Sequence, residues 1–185
     1  MDHEDHVALL RGGVAGRGGT WADIGAGEGA FTLALAELLG PGGRIVAVDR
    51  DAGALAENAR AVAGRFPGVE LETHRADFER PMELPPVDGL VAANSLHFVA
   101  RDRQIDVVRA LVSYLRPGGA FVVVEYDADR GNPWVPYPLS FGTWRTVAAA
   151  AGLTEPRLLH RVPSRFLGAI YSAVSERVPE PVSAD

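Results

Sequence analysis

Short runs of β-branched and aliphatic residues alternate along the chain with amphipathic stretches of about 12 residues, the pattern of βαβ units around a parallel sheet. Thr20-Trp21-Ala22-Asp23-Ile24 predicts a strand that breaks into Gly25-Ala26-Gly27-Glu28-Gly29, after which Phe31, Ala34, Leu35 and Leu38 recur at helical spacing. A second strand, Arg44-Ile45-Val46-Ala47-Val48, ends in Asp49. Asp51 then caps a helix that carries Ala52, Leu55, Ala59 and Val62 inward and closes at Gly64. The alternation Val69-Glu70-Leu71-Glu72-Thr73 predicts a strand with one wet face, which suits a sheet edge. Residues 87–93 form the next apolar strand, and Ile105, Val108, Leu111, Val112 and Leu115 make a helical stripe stopped by Pro117-Gly118-Gly119. Phe121-Val122-Val123-Val124 predicts a buried strand, and Ser140 caps a helix with Phe141, Trp144, Val147 and Ala151 inward. Two strands follow near 157–162 and 166–174. The fold class is α/β, in one domain over residues 1–185, with a short N-terminal helical segment at 1–18 and a flexible tail at 179–185.

Composition narrows the chemistry. With 47% apolar side chains, 23% charged, 21 glycines and 13 prolines in 185 residues, the chain can bury a proper core. It has no cysteine, which excludes disulfides, zinc-thiolate sites and thiol nucleophiles. It also has no lysine, which excludes Schiff-base catalysis and the lysine of a P-loop. A net charge of -6 disfavours a nucleic-acid partner, because such domains are usually basic. The first six residues, Met1-Asp2-His3-Glu4-Asp5-His6, are acidic where a secretory signal is basic, and no apolar run approaches the ~20 residues that span a bilayer. The expectation is a cytoplasmic protein with no membrane partner. His3 and His6 have helical spacing but are expected on a solvated face of a fraying terminus.

In an open parallel sheet, ligands bind at the carboxyl ends of the strands near the reversal of winding direction. There, Gly25 and Gly27 permit close backbone approach to a ligand. Asp49, at the end of the second strand, can accept both hydroxyls of a ribose. Together they point to a nucleoside cofactor and leave two readings open. Gly25-x-Gly27-x-x-Ala30 formally satisfies a dinucleotide fingerprint, so a nicotinamide oxidoreductase stands beside a cationic, sulfonium-bearing ligand. Asp23 suits the cationic ligand better than a pyrophosphate. Asp77 can accept from the exocyclic amine of an adenine, with Phe78 beside the ring.

At this point the chain resembles the class I S-adenosylmethionine-dependent methyltransferases over about residues 21–178. The matching segments are Ala22-Asp23-Ile24-Gly25-Ala26-Gly27-Glu28-Gly29, Val48-Asp49, Ala76-Asp77-Phe78, Val87-Asp88-Gly89-Leu90-Val91 and Leu115-Arg116-Pro117-Gly118-Gly119, in order and at the usual spacings. The resemblance implies a Rossmann-like, seven-stranded, mostly parallel sheet with an antiparallel last strand and helices on both faces. It also implies S-adenosylmethionine as cofactor. Asp23, Gly25, Ala26 and Gly27 would hold its methionine portion, Asp49 its ribose, and Ala76, Asp77 and Phe78 its adenine, with Asn94 also in contact. Arg50 stands where the family often has an apolar residue, and its guanidinium plane can stack on the adenine instead.

Methyl transfer from a sulfonium is an in-line displacement that needs alignment above all. His97, in Asn94-Ser95-Leu96-His97-Phe98, is the candidate base. The family's Asn/Asp-Pro-Pro-aromatic motif for nucleobase amines is missing there, which favours a small organic acceptor with an oxygen, nitrogen or carbon nucleophile. No metal is expected at Glu125 and Asp127, since family metal sites use a carboxylate where Asn94 stands. Trp134 and Tyr137, on a proline-rich loop, are the candidate substrate contacts. About 20 residues precede the first strand, where relatives with small substrates often carry a longer helical cap, so a homodimer partner is one expected way of closing the pocket. Two alternatives to the small-molecule methyltransferase remain: a noncatalytic binding module on the same fold, and the nicotinamide enzyme.

Overall fold

The computed structural model describes residues 1–179. Strands form at Thr20–Ile24 (β1), Arg44–Asp49 (β2), Glu70–Arg75 (β3), Val87–Ala93 (β4), Leu115–Tyr126 (β5), Arg157–Pro163 (β6) and Ala169–Glu176 (β7). They join one sheet in the order β3-β2-β1-β4-β5-β7-β6. β7 pairs antiparallel with both neighbours, and the other adjacent pairs are parallel. Helices lie at His3–Val14 (α1), Ala30–Leu39 (α2), Ala52–Arg65 (α3), Gln104–Ser113 (α4) and Phe141–Ala150 (α5), with a 3-10 turn at Leu96–Phe98.

Alternation along each strand sorts the core into two layers, because successive side chains leave a strand on opposite faces. Ala22, Ile24, Leu90, Phe121 and Val123 pack with Val108, Leu111, Trp144 and Val147 of α4 and α5. Trp21, Val91, Val122 and Val124 pack on the other face with Leu10, Phe31 and Leu35 of α1 and α2. The polar-apolar alternation of β3 belongs to an edge strand, as its place in the order requires.

The helix starts are fixed by side-chain caps. Asp51 accepts from the N–H groups of Gly53 and Ala54, and Ser140 from that of Thr143. Several boundaries differ from the expectation, among them the start of the last strand, at Ala169 rather than near 166. α3 runs through Gly64 to Arg65, because Gly64 does not enter the left-handed conformation that ends a helix and the Phe66 N–H still reaches the Val62 carbonyl. β5 starts at Leu115 rather than after Gly119: Leu115 pairs with Val87, and the register then jumps so that Ala120 pairs with Gly89. The skipped Pro-Gly-Gly segment is tied elsewhere, with the Gly118 N–H donating to the Arg177 carbonyl (3.1 Å).

The N-terminal segment is not a fraying end. Asp2 and Asp5 form a reciprocal capping box, and Val7, Leu9, Leu10 and Val14 of α1 are buried. His3 Nε2 lies 2.8 Å from Glu37 Oε2, and the His6 ring packs on Phe31 with burial lowering its basicity. The expected tail at 179–185 lies, beyond Pro179, outside the described residues. Among the described residues, no helix is long and apolar enough to cross a membrane.

α1 reaches the sheet through Gly13, where a Cβ would stand 2.6 Å from Val122 Cγ2. Gly13→Val is therefore expected to destabilise the fold by about 1–3 kcal/mol through overpacking. An unchanged urea midpoint would show that α1 is not held at this point.

Candidate functional site

The loop after β1 is tied to the end of β2. The N–H groups of Gly25 and Ala26 both donate to the Val48 carbonyl (2.9 and 3.0 Å), and the Gly27 N–H donates to Asp49 Oδ2 (2.9 Å). Gly25, Gly27 and Gly29 have φ of 73°, 52° and 97°, which glycine adopts without the Cβ penalty. At Gly25 a Cβ would come within 2.6 Å of Ser95 Cβ. At Gly27 it would meet no atom within 4 Å, so that glycine borders open space.

The open space is a cavity of about 400 Å³ over the carboxyl ends of β1 to β4. Gly25, Gly27, Asp49, Arg50, Ala76, Asp77, Phe78 and Asn94 line it, so eight residues expected at the site from the sequence come together around one cavity. Asp49 already serves the backbone, accepting from Gly27 and, through Oδ1, from the Asp51 N–H (2.9 Å). Each carboxylate oxygen retains a second lone-pair site. Asp77 Oδ2 is 3.4 Å from the exposed Arg80 Nε. Ser95, Phe98 and Glu79 also line the cavity and were not singled out. Ser95 is 3% exposed and its Oγ has no hydrogen-bond partner. Their signal was only their place just past β4 and β3.

Three sequence candidates lie behind the wall rather than on it. Ala26 is buried against Ala47 and Leu55. Asp23 is 1% exposed, accepting from Thr32 Oγ1 (2.6 Å), which in turn accepts from Asn58 Nδ2 (2.8 Å). Burial pushes the Asp23 carboxyl up to about 6, the Thr32 bond opposing and the nearby Asp49 charge adding to the rise. His97 is also buried, its Nδ1 2.9 Å from Glu125 Oε2, while Glu125 Oε1 accepts the His97 backbone N–H (3.1 Å). The His97 ring touches Phe98 and, edge-on, Tyr126.

A second cavity, of about 460 Å³, adjoins the first at Asn94, which lines both. Its walls are Tyr126 and Ile170, the turn carrying Ser164, Arg165 and Phe166, and Asp5 of α1. Among the described residues, Asn94 is the non-glycine residue with positive φ (51°), and its Oδ1 is buried without a partner. Trp134 and Tyr137, expected at the substrate, line neither cavity: Trp134 is 70% exposed, and the Tyr137 N–H is used on the His97 carbonyl (3.0 Å).

The sheet order, the antiparallel β7 and the glycine turn over β1 define a Rossmann-like α/β protein. Residues 22–119 match the family described as methyltransferase domain, and the chain belongs to that family. Similar curated proteins include the ribosomal RNA small subunit methyltransferase H of Paracidovorax citrulli, 42% identical over 173 residues, covering 94% of this chain and 50% of that protein. The protein of the same name from Acidobacterium capsulatum is 37% identical over 114 residues, covering 53% and 38%. The chain thus spans about half or less of the curated relatives it matches. Among solved structures, the Burkholderia thailandensis 1,6-didemethyltoxoflavin-N1-methyltransferase, with bound 1,6-didemethyltoxoflavin and S-adenosylhomocysteine, is similar at TM-score 0.75 and 20% identity, covering 96% of this chain and 78% of that one. An O-methyltransferase family 2 protein from Planctomyces limnophilus, in complex with apigenin, is similar at TM-score 0.70 and 22% identity, covering 95% and 57%.

The buried Asp23 carboxyl has a thermodynamic signature. Its folded pKa of about 6 lies above the ordinary 3.8, so the folded state holds the proton longer and stability falls as pH rises through that window. Asp23→Asn, which cannot ionise, is expected to exceed the wild type in unfolding free energy by up to about 3 kcal/mol above pH 6, the gain fading toward pH 4. Denaturant titrations at several pH values check this, and a pH-independent difference would contradict it.

Proposed function

We propose that the chain binds S-adenosylmethionine in the first cavity and transfers its methyl group to a small organic acceptor held in the second. The observation that carries the reading is the open volume above Gly27, bounded by the Asp49 carboxylate, with Asn94 lining both this cavity and a second one. The residues fit the cofactor. Asp49 has free lone pairs for ribose hydroxyls, while Asp77 can accept from the adenine amine with Phe78, Ala76 and Arg50 flanking the ring. Gly25, Ala26 and Gly27 present the backbone to the methionine portion. Asp23, behind them, supplies negative potential for its ammonium. The unpartnered Ser95 Oγ and Asn94 Oδ1 are polar groups that a bound ligand would satisfy.

When bound, the cofactor would supply an electrophilic methyl group to the acceptor's lone pair, with its sulfonium as the thioether leaving group and the acceptor's proton passing to solvent. The protein's work is to align and to exclude water. Asn94 orients the acceptor where the two cavities meet. His97, the sequence candidate for the base, lines neither cavity and acts as a positioning residue: its Nδ1 and backbone N–H are turned to Glu125, which holds the turn carrying Asn94, Ser95 and Phe98. Its ring lies against Phe98 of the first cavity and Tyr126 of the second.

The names of the curated relatives favour an RNA acceptor as a second reading. The charge of -6 weighs against it, since RNA binding rests on several cations neutralising phosphates.

S-adenosylmethionine and S-adenosylhomocysteine are expected to raise the melting temperature and NAD to leave it unchanged, since a ligand that binds only the native state stabilises it. Calorimetry showing NAD binding instead would overturn the cofactor assignment, and tight cofactor binding with no turnover on any acceptor would leave a binding module. Asp49→Ala should weaken S-adenosylhomocysteine by roughly 1.5–3 kcal/mol, the scale of hydrogen bonds to a charged group. His97→Gln should lower turnover more than it lowers S-adenosylhomocysteine affinity, and turnover equal to the wild type would remove His97 from the machinery.

A further inference from the structure

The second cavity carries a chemical signature of its own. Tyr126, Val162 and Ile170 are 7%, 8% and 3% exposed and give it an apolar base, while Phe166 is 65% exposed at its rim. Such walls match a flat ring, because aromatic side chains offer rigid faces at low entropy cost. A volume near 460 Å³ lies within the usual range for small-molecule sites.

Charge supplies the second half. Arg165 lines this cavity and forms no ion pair or hydrogen bond among the described residues. The other arginines of this corner are engaged: Arg161 Nη2 lies 2.9 Å from Asp127 Oδ2, and Arg101 donates to the carbonyls of Asp129 and Pro138. Asp5, the acid on the lining, is committed to its helix cap, its Oδ2 accepting the Asp2 N–H (3.3 Å). The third element is Asn94 Oδ1, an acceptor that is buried and lacks a donor.

Resting on the methyl-transfer reading of this site, we infer that the acceptor is a flat aromatic or heteroaromatic molecule bearing an anionic substituent. Its ring lies against Tyr126 and Phe166, its anionic group meets the Arg165 guanidinium, and its reacting O–H or N–H lies beside Asn94. A single unengaged arginine among lining residues that include Asp5, Asn94 and Ser164 suits one carboxylate and not a polyphosphate chain.

The test uses the full chain saturated with S-adenosylhomocysteine, whose own binding is measured first. Hydroxybenzoates and hydroxynaphthoates are then titrated by calorimetry, each beside its primary amide. Acids are expected to bind roughly tenfold tighter than their amides, the scale of one charge-assisted contact. Arg165→Gln should erase that preference while leaving S-adenosylhomocysteine affinity unchanged, and Phe166→Ser should weaken acids and amides alike. Equal affinity for acids and amides, no binding of either, or a preference that survives Arg165→Gln would overturn the inference. So would salt-dependent binding of an RNA oligonucleotide with no discrimination among the small molecules. Failure of S-adenosylhomocysteine itself to bind would instead strike the cofactor reading, with the acid-amide comparison on the cofactor-free protein then deciding the inference separately.

Discussion

Everything at the carboxyl edge of the sheet depends on how the turn after β1 is fastened to β2. Two backbone N–H groups converge on the Val48 carbonyl and a third on the Asp49 carboxylate, so the glycine turn and the acid are held as one unit. The same carboxylate accepts the Asp51 N–H at the start of α3. The glycine turn, the end of β2 and the start of α3 are thereby fixed around one volume. Gly27 leaves that volume open, and Gly25 lets the turn lie close enough to Ser95 for the loop after β4 to form the opposite wall.

Behind this edge lies a less comfortable arrangement. The line of donors from Asn58 through Thr32 ends on Asp23, a carboxyl with almost no access to water and a raised pKa. Burying an acid this way costs stability, which is the usual price of a group kept for its potential toward a ligand. His97 and Glu125 make a second buried polar unit on the far side of Asn94, and their bonds hold the short turn that aims Phe98 at the first cavity and leaves Asn94 in its positive-φ conformation. The two cavities meet at a position braced from both directions.

The chain's own pattern carried most of the architecture. Runs such as Phe121-Val122-Val123-Val124, the glycine turn, and the caps at Asp51 and Ser140 are local signals, decided by side-chain alternation and by which N–H groups lack partners. That Asp49, Asp77 and the loop glycines would line one cavity was legible for the same reason: strand ends in a parallel sheet share one edge. Where local rules were trusted too far, packing corrected them. Gly64 did not end its helix, Pro117-Gly118-Gly119 became a bulge within β5, and the acidic N-terminus became a docked helix because Gly13 meets Val122 and His6 meets Phe31.

Side-chain direction in irregular segments was decided only by the tertiary structure. In Asn94-Ser95-Leu96-His97-Phe98 the eye falls on His97 for its chemistry, yet the turn buries that ring on Glu125 and presents Ser95 and Phe98 to the cavity. Trp134 and Tyr137 attracted notice as aromatics on a loop, while Arg165 and Phe166 came to the second cavity from a hairpin about thirty residues further along. A strand or helix announces its inward face through its period. A turn or loop has no period, so what its side chains face is set by the distant elements that pack against it.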